Sequence, residues 1–214
     1  MQFTEQFQRP KGYLTLITHR GGIVDHDGIT GGEIVERRDF HNLIVDRASQ
    51  LMAGRMAPGA ITGGSEQSFV GSFLDHGIQY LAAGFGQLVD PTSPYDPITN
   101  PVDSSYNLQD PPEATLADTQ LLGEAYRIPP STWCFLDPAG EETSELTNVL
   151  KVTFTFMEDQ AIGPITECGL FGGNAQPWNN GNGKNSGILF NLKRFGVVNK
   201  SQDMRLSIIW RLVF

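Results

Sequence analysis

The sequence predicts a mainly β protein: an antiparallel β-sandwich, jelly-roll-like, with one short α-helix and long loop insertions. Three observations predict it. The last residues alternate strictly, with Met204, Leu206, Ile208, Trp210, Leu212 and Phe214 on one parity and Asp203, Arg205, Ser207 and Arg211 on the other. That period of two belongs to a strand half buried against a core. Leu146 to Met157 repeats the pattern, with Leu146, Leu150, Val152, Phe154 and Phe156 against Thr147, Lys151, Thr153 and Thr155. The 24 glycines and 13 prolines, with Asn and Asp frequent beside them, fit many short strands between turns.

Residues 1–11 read as an arm, polar except for Phe3 and Phe7 and closed by Pro10. An arm of this kind is ordered by a neighbour, which makes Phe3 and Phe7 candidate partner contacts. Residues 12–214 read as one sandwich domain, with no internal repeat and no dividing linker, and with insertions at about 87–115 and 172–187. Gly12 to Thr18 is a strand and His19 to Gly22 a turn. Asp25 to Gly28 is a loop tip between Ile23-Val24 and Ile29; its aspartates lack the third ligand, central glycine and distal glutamate of a calcium loop. Glu33 to Val45 is extended. Ala48, Leu51, Met52 and Met56 then recur at helical spacing, capped by Asp46 and stopped by Ala57-Pro58-Gly59, which sets the helix at Asp46 to Met56. Gly59 to Ser68 is a loop.

Ile78 to Ala83 is strand-like and closes on Gly84-Phe85-Gly86. From Val89 to Thr115 six prolines exclude helix interior and central strand, so this is a surface excursion without a core of its own. Leu116 to Arg127 is expected to hold a turn of helix before Pro129-Pro130. Pro164 to Phe171 is a short strand with Thr166, Cys168 and Leu170 on one face, and Gly172 to Gly187 is an Asn/Gly-rich connection carrying Trp178. Gly187 to Val198 is expected to pair with the C-terminal strand through a turn at Asn199 to Asp203, with a register-shifting bulge at Lys193-Arg194. The core is expected from Phe154, Phe156, Leu206, Ile208, Trp210, Leu212 and Phe214.

A formal charge of −9 argues against an electrostatic nucleic-acid binder, which needs clustered Lys and Arg. The N-terminus has no basic region followed by an apolar one, and no run reaches the length of a membrane span, so a protein made in the cytoplasm and not secreted is expected. Cys134 and Cys168 are either two reduced thiols or one bridge.

No catalytic template is completed. Gly181 to Ser186 resembles a phosphate loop, but Asn185 stands where a Mg-binding hydroxyl is needed. Gly63-Gly64-Ser65-Glu66-Gln67 lacks the last glycine of a nucleophile elbow. His19, His26, His41 and His76 have no ligand spacing. Glu167 is an acid inside an apolar strand, read as solvated or paired with an arginine. No cofactor, metal or catalytic residue is therefore expected. Tyr95, Tyr106, Trp178 and Trp133, in or near loops, are the candidates for a sugar- or protein-binding surface.

The order of elements is similar to that of a family of tailed-bacteriophage virion proteins. The resemblance is carried by Asn42-Leu43-Ile44-Val45, by Leu81 to Gly86, and by an Asp-Thr-x-Leu-x-x-Glu-x-x-Arg stretch matched by Asp118, Thr119, Leu121, Glu124 and Arg127. Ile165, Glu167, Gly169, Leu170 and Phe171 follow, and then the ending Phe195, Val198, Lys200, Asp203, Leu206, Ile208, Trp210, Leu212 and Phe214. This chain departs from the family in the long segment Gln87 to Thr115 and in the longer loop around Trp178. The resemblance implies a non-enzymatic structural virion protein, a homo-oligomer bound to other virion proteins at the neck or tail, as collar, fibre or baseplate attachment. The alternatives are a capsid decoration protein and, in another class, a receptor- or glycan-binding module.

Overall fold

The computed structural model describes residues 11–24, 29–30, 32–44, 77–144, 147, 149–178 and 183–213. The strands are β1 (Lys11–Arg20), β2 (Ile23–Val24), β3 (Ile29–Thr30), β4 (Glu33–Ile44), β5 (Ile78–Gly84) and β6 (Glu124–Ile128). They continue as β7 (Thr132–Leu136), β8 (Glu142–Thr143), β9 (Val149–Phe156), β10 (Gly163–Gly172), β11 (Ile188–Lys200) and β12 (Arg205–Val213). Ten form one antiparallel sheet in the order β6-β5-β10-β11-β4-β1-β12-β9-β7-β8, and β2 and β3 form a separate hairpin.

The large sheet has a weak seam. β4 pairs with β1 from Glu33 to Asn42, but with β11 only through Leu43 and Ile44. The seam separates a four-strand part, β6-β5-β10-β11, from a six-strand part, β4-β1-β12-β9-β7-β8. Inward side chains of both parts meet in one core: Leu14, Leu16, Phe154, Phe156, Ile208 and Trp210 from one, Leu81, Cys168, Leu170 and Phe190 from the other. This is a sandwich-like arrangement.

The C-terminal strand lies at the middle of the six-strand part. Cross-strand rows Leu16, Ile208, Phe154 and Leu14, Trp210, Val152 run through β1, β12 and β9. Phe154, Phe156, Leu206, Ile208, Trp210 and Leu212 are completely buried. Phe214 lies outside the described residues, as do Phe3, Phe7, and the helix expected over Asp46 to Met56; among the described residues there is no helix.

Two corrections concern pairing. β11 and β12 are not a hairpin: both edges of β12 are taken by β1 and β9, and both edges of β11 by β10 and, briefly, β4. The short segment Ser201 to Met204 is a corner that carries the chain between the two parts. Alternation tells which residues face a core, but not which strand lies alongside. The expected bulge at Lys193-Arg194 is also displaced, since Lys193 and Arg194 pair regularly with Cys168 and Glu167. The register shifts on either side of them, between Arg194 and Val198 and between Leu189 and Asn191. The helical turn expected within Leu116 to Arg127 is replaced by strand β6, which completes the edge of β5.

The four-strand part is covered on its outer face as well. Ala82, Leu121, Phe171, Ala175, Leu189 and Leu192 form a second apolar cluster there, to which the segments after Gly84 and after Gly172 contribute Leu121 and Ala175. β10 is therefore buried at eight successive positions instead of alternating. The excursion from Gln87 to Thr115 has interior groups of its own, contrary to expectation: Leu88, Asn100 and Tyr106 are buried. The Asn100 amide donates to the carbonyls of Asp90, Ser93 and Pro94 and accepts from Asp90 N–H, which closes the proline-rich loop on itself.

Because Trp210 is flanked on both sides by strands and wholly buried, Trp210→Ala should cost about 3–5 kcal/mol of stability. Chemical denaturation of the purified protein measures this. An unchanged unfolding midpoint would place the indole outside the core.

Candidate functional site

Four of the charged residues singled out in the sequence, Asp118, Glu124, Arg127 and Glu167, lie together at the outer face of the four-strand part, whereas Lys200 bonds the Glu158 carbonyl and Asp203 pairs with Arg20 elsewhere. Glu124 and Arg127, three residues apart on β6, form a two-pronged ion pair at 2.5 and 2.7 Å with both side chains fully buried. Arg127 also donates to the carbonyls of Gln176 and Ser186 and to the Ser186 hydroxyl, and its guanidinium stacks over Phe171 at 4.6 Å. The second carboxylate oxygen of Glu124 accepts the Asn185 N–H at 2.6 Å, while the Asn185 side chain pairs with both backbone groups of Leu121. Asn185 holds a left-handed backbone at φ 53° to do so.

A second pair stands beside the first. Glu167 of β10 accepts the Gly123 N–H at 2.9 Å and meets Arg194 of β11 at 3.3 Å. Arg194 reaches on to the Glu113 carbonyl and to Asp118, whose carboxylate also accepts the Thr115 N–H. Glu167 is thus paired with an arginine, one of the two expected outcomes, and fully buried instead of solvated. Burial raises its pKa, against the opposing pull of the Gly123 N–H and Arg194. The glycine two residues later has a packing reason: a Cβ at Gly169 would lie within 2.7 Å of Leu189 and 2.8 Å of Leu121. The Glu-x-Gly-Leu-Phe stretch therefore supplies an acceptor, a gap for Leu121, a core leucine and the ring under Arg127.

This network clamps the two insertions to the sheet and to each other. Lys184 donates to the Pro91 and Ser93 carbonyls, so the lysine of the loop that resembles a phosphate site is used as a strut. Tyr106 lies over Gly86, which has φ 82°, and a Cβ there would fall inside the tyrosine ring. Tyr106 is thus a buried support and not the partner contact expected of it.

Above the clamp the two insertions form one wall each of an open cleft of about 350 Å³. Phe85, Pro94, Tyr95, Tyr126, Ile162 and Trp178 line it, together with Ala125 and Ala161. Tyr95 stands edge-on to Phe85 with centroids 4.5 Å apart, and Trp178 packs on Tyr126 at 5.3 Å. Two predicted contact residues, Tyr95 and Trp178, thus meet in one place although 83 positions separate them in the sequence. Trp133 is not among the lining residues; it lies on β7, 63% exposed, against Phe135. The sequence reading missed Tyr126, because its segment was taken as helical, and Phe85 and Ile162, which carry no local signal.

Compared with known proteins, the chain matches no family model, and no curated protein matches it.

The remaining chemistry-bearing groups are structural in their surroundings. His19 lies 3.0 Å from the Ser207 hydroxyl, and its other nitrogen lies 2.6 Å from the Gly21 carbonyl, but both side chains are buried between β1 and β12. Cys134 and Cys168 are free thiols, and burial pushes the Cys168 thiol well up. Among the described residues no group of three His, Cys, Asp or Glu could hold a metal ion.

Two outcomes follow for the clamp and the loop above it. Arg127→Leu leaves Glu124 buried without its partner and should cost about 3–5 kcal/mol, whereas Glu124→Leu/Arg127→Leu should cost less than the two single changes added together. Urea denaturation of the four proteins checks this, and strict additivity would mean the charges do not interact. In the excursion, hydrogen bonds from Ser93 and Thr92 hold the exposed Asp90 carboxyl at about 2, below its ordinary 3.8. The depressed value makes its contribution present above 3.8 and lost as pH falls through about 2. An NMR titration should find that midpoint in the native protein, and Ser93→Ala should move it back up.

Proposed function

We propose that this protein is a non-enzymatic structural component of a tailed-phage virion, found in the assembled particle and made in the host cytoplasm. It assembles as a homo-oligomer and binds other virion proteins at the neck or tail, as a collar, fibre or baseplate attachment. The observation that carries this reading is that Asp118, Glu124, Arg127 and Glu167, four of the six charged residues of the resemblance, are paired with Arg194 or with one another. Groups committed to internal pairs hold a shape and are closed to a substrate. The jelly-roll-like finer architecture belongs to the same reading and is supported by the pairing of the first strand with the last. Capsid decoration is the alternative location.

A receptor- or glycan-binding module is the second reading, favoured by the meeting of Tyr95 and Trp178 in one cleft. Aromatic faces on rigid loops suit sugar rings.

Cryo-electron microscopy of intact particles tests the first reading. Copies arranged in rings about the tail axis are the expected result. Copies spread over icosahedral positions on the head would replace the tail assignment by decoration, and absence from the particle would overturn the structural role altogether.

A further inference from the structure

Three polar atoms beneath the proline-rich excursion have no hydrogen-bond partner among the described residues: Nη2 of Arg194 and the hydroxyls of Tyr106 and Thr166. Their residues are 8%, 9% and 0% exposed, so bulk solvent does not reach these atoms. The three converge on Glu167. Arg194 pairs with it across the strands at 3.3 Å, and Thr166 precedes it on β10, at the register shift between Ile165 and Glu167. Tyr106 comes to the same place from the excursion. Its hydroxyl would stand 2.8 Å from a Cβ at Gly86, and Glu167 Oε1 would stand 2.6 Å from a Cβ at Gly84, so phenol and carboxylate lie over glycines two positions apart. Burial raises the Tyr106 phenol above its ordinary value; the nearby Thr166 hydroxyl opposes this, and the charges of Glu167 and Arg194 act on it in opposite directions.

The chemistry of these atoms decides what joins them. A guanidinium carries five N–H donors and no acceptor. Nε of Arg194 donates to Glu167, and Nη1 donates to the Glu113 carbonyl and to Asp118, so the N–H groups of Nη2 still need an acceptor. The Tyr106 and Thr166 hydroxyls each bring one donor and two lone pairs, but neither bonds Nη2 directly. The occupant must therefore accept from Nη2 and exchange hydrogen bonds with two hydroxyls. A small anion is disfavoured, because Glu167 and Asp118 already set two carboxylates against the one guanidinium. A cation would face the positive Nη2. Water has two donors and two acceptors, and a buried water characteristically makes about three hydrogen bonds to polar groups that lack other partners.

From this we infer that one buried water molecule bridges Nη2 of Arg194, the Tyr106 hydroxyl and the Thr166 hydroxyl. It is a working part of the clamp. Arg194 holds the end of the excursion directly at Glu113, and through the water it also holds the middle at Tyr106. The site is independent of the protein's place on a particle.

The test uses the full chain. A high-resolution crystal structure should show a solvent peak within about 3.2 Å of Nη2 of Arg194 and of both hydroxyls. Tyr106→Phe/Thr166→Val keeps the shapes of both side chains and removes both hydroxyls, so the peak should weaken or vanish in that variant. In solution, magnetic relaxation dispersion of the solvent should count one long-lived internal water fewer in the variant than in the native chain. Direct hydrogen bonds from Nη2 to Tyr106, to Thr166 or to another group of the chain, with no solvent peak between them, would overturn the inference. A peak that bromide replaces on soaking would make the occupant an anion and overturn it too. An undiminished peak, or an equal number of long-lived waters, in the variant would remove the hydroxyls from the site. The native crystal decides the question even if the double variant does not fold.

Discussion

Two carboxylates and two guanidinium groups are taken out of water on the outer face of β5, β6, β10 and β11, and the arrangement of the loops follows from how they are satisfied. Isolated charges at such depth would be prohibitively costly. Glu124 and Arg127 satisfy each other, and what remains of their hydrogen-bonding capacity is taken up by Asn185 N–H and by the carbonyls of Gln176 and Ser186. Glu167 and Arg194 pair likewise and add Gly123, Glu113 and Asp118, although Nη2 of Arg194 is left without a hydrogen-bond partner among the described residues. Each partner beyond the ion pairs comes from a loop, so the charges cannot stay buried unless both insertions are in place. In return the loops obtain fixed positions that their own apolar content, chiefly Leu88, Tyr106, Leu121 and Ala175, would not supply.

That dependence connects the core to the surface. The six-strand part, built on the rows through Trp210 and Ile208, is stabilised chiefly by apolar burial on its core face. The four-strand part is covered twice, by the core on one side and by the clamped loops on the other. The aromatic cleft stands where the loops meet β6, with Tyr126 of the strand packed between Phe156 of the core and Trp178 of the loop. A surface assembled from Tyr95, Tyr126 and Trp178 is thus rigid because of charges buried beneath it, which is what a structural component or a docking site both require.

The legible and illegible parts of the sequence divide along the same line. In β9 and β12 the large core side chains keep to one parity, Val152, Phe154 and Phe156 and then Leu206, Ile208, Trp210 and Leu212, so their period of two was readable even though Lys151, Thr153, Ser207 and Ile209 on the other parity are also buried. β10 and β11 are buried on both sides; Glu167 on the outer parity therefore read as solvated or paired with an arginine, with no sign of its full burial, and β11 read as a hairpin partner of β12. Nothing local in Glu124 to Ile128 marks an edge strand, because its two charged residues are there to be buried rather than solvated. The candidate contacts were half legible. Aromatic residues in loops pointed to Tyr95 and Trp178, but equally to Tyr106, which fills the space over Gly86, and gave no hint that Tyr126 joins them from a strand.

The central claim is that the buried ion pairs hold the two insertions in place and that the rest of the sandwich stands without them. Hydrogen–deuterium exchange of the native protein and of Glu124→Gln/Arg127→Met measures it most directly. The account predicts faster exchange confined to the segments 87–123 and 183–187 and to β6, with β1, β9 and β12 as protected as before. Uniform loss of protection across both parts of the sheet, or unchanged protection in the two loops, would contradict it.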